Sequence, residues 1–356
     1  MAEKYLGENL FFIISQPRSG STLLQRILGG HPEIQTSAET WLLLHPTYAF
    51  KNSGIETEYD SRFSAQGVEE FLTNYTDGIE VYDDAIREWA NIIYGNALKK
   101  NNKTYFVDKT PRYFFIIPDL RRLFPKAKFI FLLRNPLAVL SSLLSTYIKG
   151  DWPVLSFFRH DLIDAPQFIL EGIRITGDDA IIIHYEDLVA TPENHISKLC
   201  QRLDISYHEE MIDYSHTPAP IGKLNDPVGI HQHTRPSVQS LDKWKDMLNN
   251  PQTFHFAQSY IHDLGDVTLN RLGYSFSELS KFIDAGQPSF EQGKLFPWDL
   301  AIRPQKEWTF REEYLSDKYF SIQKRGFIRG SLRTVKKTIK RGMRLLKYQL
   351  GTRHPN

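Results

Sequence analysis

Two apolar runs, each ending in a polar corner, constrain this chain more than anything else in it. The first is Phe11-Phe12-Ile13-Ile14, which passes into Ser15-Gln16-Pro17-Arg18-Ser19-Gly20-Ser21-Thr22 and then Leu23-Leu24. The second is Lys128-Phe129-Ile130-Phe131-Leu132-Leu133, which passes into Arg134-Asn135-Pro136 and then Leu137-Ala138-Val139-Leu140-Ser141-Ser142. Each reads as strand, turn and helix. A helix start has unpaired N–H groups and a partial positive charge, so an anion sits well there. Gly20 permits a close backbone approach, Ser19, Ser21 and Thr22 add hydroxyl donors, and Arg18 adds a cationic fork. Arg134 closes the second strand, and Ser142 follows eight residues later. Two turns into a helix, Ser142 can converge with Arg134 on one phosphate. Two such corners suggest a ligand with phosphates at two ends of a nucleoside. The pattern G-x-x-x-x-G-K-[ST] is absent, which argues against an ATPase or a conventional kinase.

Around these corners strands alternate with helices, the pattern of a parallel α/β sheet. Strands are expected near 10–16, 33–36, 104–108, 127–133 and 180–185. Helices are expected near 22–30, 39–50, 112–123, 136–149, 166–176 and 192–204. Residues 51–66 read as a loop, 67–100 as helices covering an acceptor side, and 251–272 as one or two closing helices. Residues 207–240 are rich in His, Pro and Gly and lack periodicity, as a functional lid would. The expected fold is a P-loop-like central parallel sheet flanked by helices, with a basic amphipathic helix at the C-terminus. The chain divides into a main domain over 1–275, an extension over 276–325 and a tail over 326–356.

Together the corners resemble the nucleotide signatures of sulfotransferases that use 3′-phosphoadenosine-5′-phosphosulfate (PAPS). Pro17 to Thr22 matches the family's P-[KR]-S-G-[ST]-[ST], and Arg134-Asn135 with Ser142 matches R-[ND]-x(6)-S. The resemblance implies that Arg18, Ser19, Gly20, Ser21 and Thr22 hold the 5′-phosphosulfate, and that Arg134 and Ser142 hold the 3′-phosphate. His31-Pro32-Glu33-Ile34 followed by Ala38-Glu39-Thr40-Trp41 is similar to a stretch of the tyrosylprotein and carbohydrate branches. Asp108-Lys109-Thr110-Pro111 resembles their K-[TD]-P segment. His184-Tyr185-Glu186-Asp187-Leu188 resembles Y-E-[DQ]-L, whose Tyr lies near the adenine, so Tyr185 joins the nucleotide set. Arg235, before Trp244, is the match to the basic segment that closes over the 3′-phosphate. The likeness covers roughly residues 8–275.

The resemblance also implies the reaction. A sulfuryl group passes from PAPS to an acceptor hydroxyl, which needs positioning, a proton acceptor and charge stabilisation. Many cytosolic members place a His two residues after the Lys of K-T-H; here that position is Pro111. Glu39-Thr40 after His31-Pro32-Glu33-Ile34 resembles the tyrosylprotein branch, where a Glu is the base. The resemblance therefore implies Glu39 as base, with Arg18 and Lys109 stabilising charge and no metal needed. Three other readings stay open at this point. Glu39 can cap a following helix, Lys109 can be a surface lysine and Arg134 can form a structural ion pair. Other classes are a nucleotide-dependent transferase of another group, or a non-catalytic nucleotide-binding scaffold. The acceptor is expected to be a carbohydrate, a glycolipid or a small molecule, with a peptide tyrosine open. Nucleic acid is not expected as a partner.

Charge is unevenly spread. After Asp317 there is no acidic residue and there are twelve Lys and Arg, leaving 31 basic against 42 acidic residues in the body. In the tail Ile328, Leu332, Val335, Ile339, Met343, Leu346 and Leu350 recur every three or four residues between basic ones. This is a basic amphipathic helix. It suits an anionic membrane surface, or docking on the chain's own acidic body. The one cysteine, Cys200, excludes an intramolecular disulfide and reads as a small core residue. Residues 1–8 do not read as a signal peptide. A cytoplasmic location, peripheral at a membrane, is the expectation.

Overall fold

A computed structural model describes residues 4–51, 53–215, 217, 221, 234–285 and 295–325. The basic tail over 326–356 and much of the expected lid lie outside the described residues. In chain order the elements begin with β1 (Leu10–Ser15), α1 (Ser21–Gly29), β2 (Ile34–Thr36), α2 (Leu44–Thr47), α3 (Ser61–Tyr75) and α4 (Ile79–Asn101). They continue with β3 (Tyr105–Asp108), α5 (Ile117–Leu123), β4 (Lys128–Leu133), α6 (Pro136–Leu143), α7 (Ala165–Thr176) and β5 (Ile181–His184). The last are α8 (Tyr185–Ala190), α9 (Pro192–Leu203), α10 (Pro251–Arg271), α11 (Phe276–Ala285), α12 (Trp298–Ile302) and α13 (Phe310–Arg325).

The five strands form one sheet in the order β2-β3-β1-β4-β5, with every pairing parallel. Central parallel strands are covered on both faces, so β1 and β4 are almost continuously apolar; all six residues of β1 are buried. Alternation divides them. Leu10, Phe12 and Ile14 pack with Phe129, Phe131 and Leu133 under α4, α5 and α7. Phe11 and Ile13 pack with Ile130, Leu132, Ile181 and Ile183 under α1, α8 and α9. A third cluster joins α6 and α10 to Phe296, Trp298 and Leu300, with Tyr319 and Phe320 of α13 against it. The described parts of the segment after α10 thus share a core with the elements before them. Parallel strands also bring every strand's carboxyl end to one edge, where α/β folds bind ligands.

Several helix expectations change. Residues 39–43 are not helical; only Leu44–Thr47 form α2, followed by a 3-10 turn over Tyr48–Phe50. Thr40 and Trp41 are drawn instead to Asp108 and Thr110. Glu39 therefore sits in no helical first turn, and the capping reading falls. Helix α3 begins inside the expected loop, because the Asp60 carboxylate accepts from the Arg62 N–H as an N-cap. Residues Pro111–Ile116 form a 3-10 turn before α5, and α6 continues as a π-turn over Leu144–Ile148. Gly265, at φ 72°, kinks α10. Cys200 is buried, which pushes its thiol pKa up to about 11. Among the described residues no helix is long and apolar enough to cross a membrane.

Candidate active site

The carboxyl edge of the sheet opens into a cavity of about 420 Å³. Its lining includes Arg18, Gly20, Ser21, Thr22, Glu39, Lys109, Arg134, Ser142, Tyr185 and Arg235. Every expected site residue except Ser19 lines it, and Ser19 is buried in the turn alongside.

The first corner is built by β1 running into α1. Gly20 has φ 90°, and a Cβ there would lie 2.4 Å from the Tyr185 ring. Only glycine fits where the turn is left-handed and an aromatic ring lies on it. Arg18 also has a positive φ, 70°. Its Nε donates to Ser142 Oγ at 3.0 Å, so this side chain links the first corner to the second.

The second corner is built by β4 running into α6. Asn135 caps α6, its side chain accepting from the Leu137 N–H, with Pro136 at the first helical position. The Arg134 guanidinium lies 4.2 Å over the Tyr185 ring, and its Nη1 donates to the Arg18 carbonyl at 2.9 Å. Burial pulls the Arg134 pKa down; a bound anion would offset that cost. Two buried polar atoms, Arg134 Nε and Ser19 Oγ, have no hydrogen-bond partner among the described residues. One lies in each corner. Such atoms are costly unless a ligand or water satisfies them, so the corners fit a ligand with two separated phosphates.

On the other side of the first corner, where β2 and β3 end, sits an ion pair. Lys109 Nζ lies 3.1 Å from Glu39 Oε1, with the Lys side chain 1% and the Glu side chain 19% exposed. Lys109 is thus no surface lysine. Trp41 Nε1 donates to the other oxygen, Oε2, at 3.2 Å. Tyr185 OH and Ser240 Oγ are 2.9 Å apart, tying this ring to the segment that begins at Arg235. Arg235 itself is half-exposed and 3.6 Å from Glu193.

Sequence reasoning missed several lining residues: Arg26, Tyr147, Tyr214, Lys243 and Trp244. Arg26 stands one helical turn after Thr22, a spacing that marks it for the same face. Tyr147 is carried by the π-turn, which no period in the sequence announces. Among the described residues no group of His, Cys, Asp and Glu is arranged to hold a metal.

Residues 11–209 match the model of the Sulfotransferase family. A Caenorhabditis briggsae protein with a provisional protein-tyrosine sulfotransferase name is 26% identical over 283 residues, 76% of this chain and 90% of that protein. Nodulation protein NoeE of Sinorhizobium fredii is 37% identical over 136 residues, 38% of this chain and 31% of NoeE. A sulfotransferase domain from the curacin biosynthetic pathway superposes with a TM-score of 0.47 at 24% identity, covering 67% of this chain and 91% of that domain. With the family model spanning more than half of its length, this chain belongs to the sulfotransferase family.

Proposed function

We propose that this sulfotransferase takes its sulfuryl group from PAPS and delivers it to an acceptor hydroxyl, with Glu39 as the base. One observation carries the reading. The Glu39–Lys109 pair opens into the same cavity as two phosphate corners, each holding a buried polar atom without a partner. Ser19, Gly20, Ser21 and Thr22 receive the 5′ end, and Arg134 and Ser142 the 3′-phosphate. Tyr185 flanks the base ring.

The acceptor oxygen attacks sulfur, forming the new O–S bond as the bond from sulfur to the 5′-phosphate oxygen breaks. Glu39 takes the acceptor's proton, and adenosine 3′,5′-bisphosphate leaves with the electron pair of the broken bond. Lys109 and Arg18 offset the negative charge on the transferring and leaving oxygens. The relatives' names favour a protein tyrosine as acceptor. A carbohydrate is the second reading, favoured by the partly exposed Trp41 ring beside Glu39, since amphipathic rings stack on sugars.

The test is transfer from radiolabelled PAPS to a tyrosine peptide and to a set of methyl glycosides, by the full chain and by Glu39→Gln. Transfer that falls by about a hundredfold or more in Glu39→Gln, with bisphosphate affinity retained, supports the base assignment. Equal transfer by both proteins contradicts it.

A further inference from the structure

Asp108 is a carboxylate that the reaction above does not use. It ends β3 with no exposure. Four hydroxyls converge on it: Tyr94 at 2.6 Å, Thr40 at 2.7 Å and Tyr113 at 3.0 Å on Oδ2, and Thr110 at 3.2 Å on Oδ1. Burial pushes its pKa up against those four donors. A carboxyl held this way, with hydroxyls rather than a cation, is costly to bury and rigidly placed.

Two of the four hydroxyls lead to Trp41. Thr110 Oγ1 accepts the Trp41 backbone N–H at 3.2 Å, and Thr40 Oγ1 accepts the next one, from Leu42, at 3.2 Å. Between these anchors Trp41 stands at φ 54°, a left-handed conformation that bulky residues rarely adopt and that persists where surroundings enforce it. In that conformation the indole N–H meets Glu39 Oε2 while Lys109 holds Oε1. A glutamate carboxyl on one anchor rotates freely about its last torsion. On two anchors its plane is fixed, and each oxygen keeps a lone pair for an incoming hydroxyl.

We propose that Trp41 is a positioning residue for sulfuryl transfer: Asp108, acting through Thr40 and Thr110, holds it in a left-handed backbone so that its indole N–H orients the base Glu39. The inference rests on the reading of Glu39 as base. The exposed part of the ring then flanks the acceptor's approach.

The full chain carrying 15N at its tryptophan indoles provides a test that needs no acceptor. The Trp41 peak is the one missing in Trp41→Phe. It should shift in Glu39→Gln, which replaces the carboxylate that the indole N–H meets with a neutral amide. In Asp108→Asn and in Thr40→Val it should shift towards the free-indole position. In the same two variants affinity for adenosine 3′,5′-bisphosphate should stay within about threefold, which shows a folded donor site. Transfer to the tyrosine peptide or methyl glycosides should then fall at least about tenfold in kcat with little change in acceptor KM. Trp41→His, which keeps an N–H donor, should recover part of the kcat that Trp41→Phe loses. A Trp41 peak indifferent to Glu39→Gln overturns the proposal. So does unchanged kcat in Thr40→Val, which carries the test if Asp108→Asn fails to fold. Failure of the wild-type chain to bind the bisphosphate would instead sink the donor reading, with the indole result still standing on its own.

Discussion

Arg134 braces the first corner through the Arg18 carbonyl, and its buried Nε has no partner among the described residues. Arg134→Ala should weaken binding of adenosine 3′,5′-bisphosphate by about 2–3 kcal/mol, the scale of a charge-assisted contact. AMP, lacking the 3′-phosphate, should lose much less, and calorimetry on both nucleotides separates the cases. Asp161 is a second residue-scale case. Arg112 pairs with its Oδ2 at 2.8 Å, yet burial pushes its pKa up to about 6, and its Oδ1 has no partner among the described residues. A folded pKa above the unfolded one means that folding takes up a proton, so stability falls as pH rises from about 4 to about 6. Asn cannot ionise. Asp161→Asn should gain about 2 kcal/mol relative to wild type between about pH 4.5 and about pH 7.5. Parallel urea-stability profiles for the two proteins would contradict this.

At the scale of elements, the turn between β1 and α1 is the least replaceable piece. Gly20→Ala puts a Cβ against Tyr185 and a side chain at φ 90°. It should cost about 1–2 kcal/mol of stability from the backbone alone and weaken bisphosphate binding at least about tenfold, readable by thermal melting and calorimetry. This turn was also the most legible part of the sequence. All five strands fall at their expected positions. Strands β1 and β4 leave the near-unbroken apolar signature of buried parallel strands, whereas the edge strand β2 is Ile34-Gln35-Thr36. What the sequence hid were segments set by tertiary contacts. Residues 39–43 carry helix-compatible residues, but the hydroxyl of Thr40 and the N–H of Trp41 find Asp108 and Thr110, which are distant in sequence. The π-turn that presents Tyr147 likewise follows from packing after Ser142 and not from any local period. Asp60 as the cap of α3 is a local signal, a carboxylate two residues before an N–H it can reach, but the polar sequence around it gives no apolar period to mark the helix.

Across the whole molecule, the segment past α10 completes the core. Phe296, Trp298 and Leu300 are each less than a tenth exposed, and burying such side chains contributes about 1.5–3 kcal/mol apiece. Their sum is comparable with the total stability of a domain, about 5–15 kcal/mol. A chain ending at residue 285 should therefore lose cooperative thermal unfolding, whereas one ending at residue 325 should keep it. Equal melting of the two would contradict the role given to α12. Donor recognition is decided by calorimetric titration with adenosine 3′,5′-bisphosphate, beside AMP and ATP. The bisphosphate should bind at micromolar concentration, at least about a hundredfold tighter than AMP, since one well-held phosphate contributes roughly 2–3 kcal/mol. Indifference to the 3′-phosphate would contradict it.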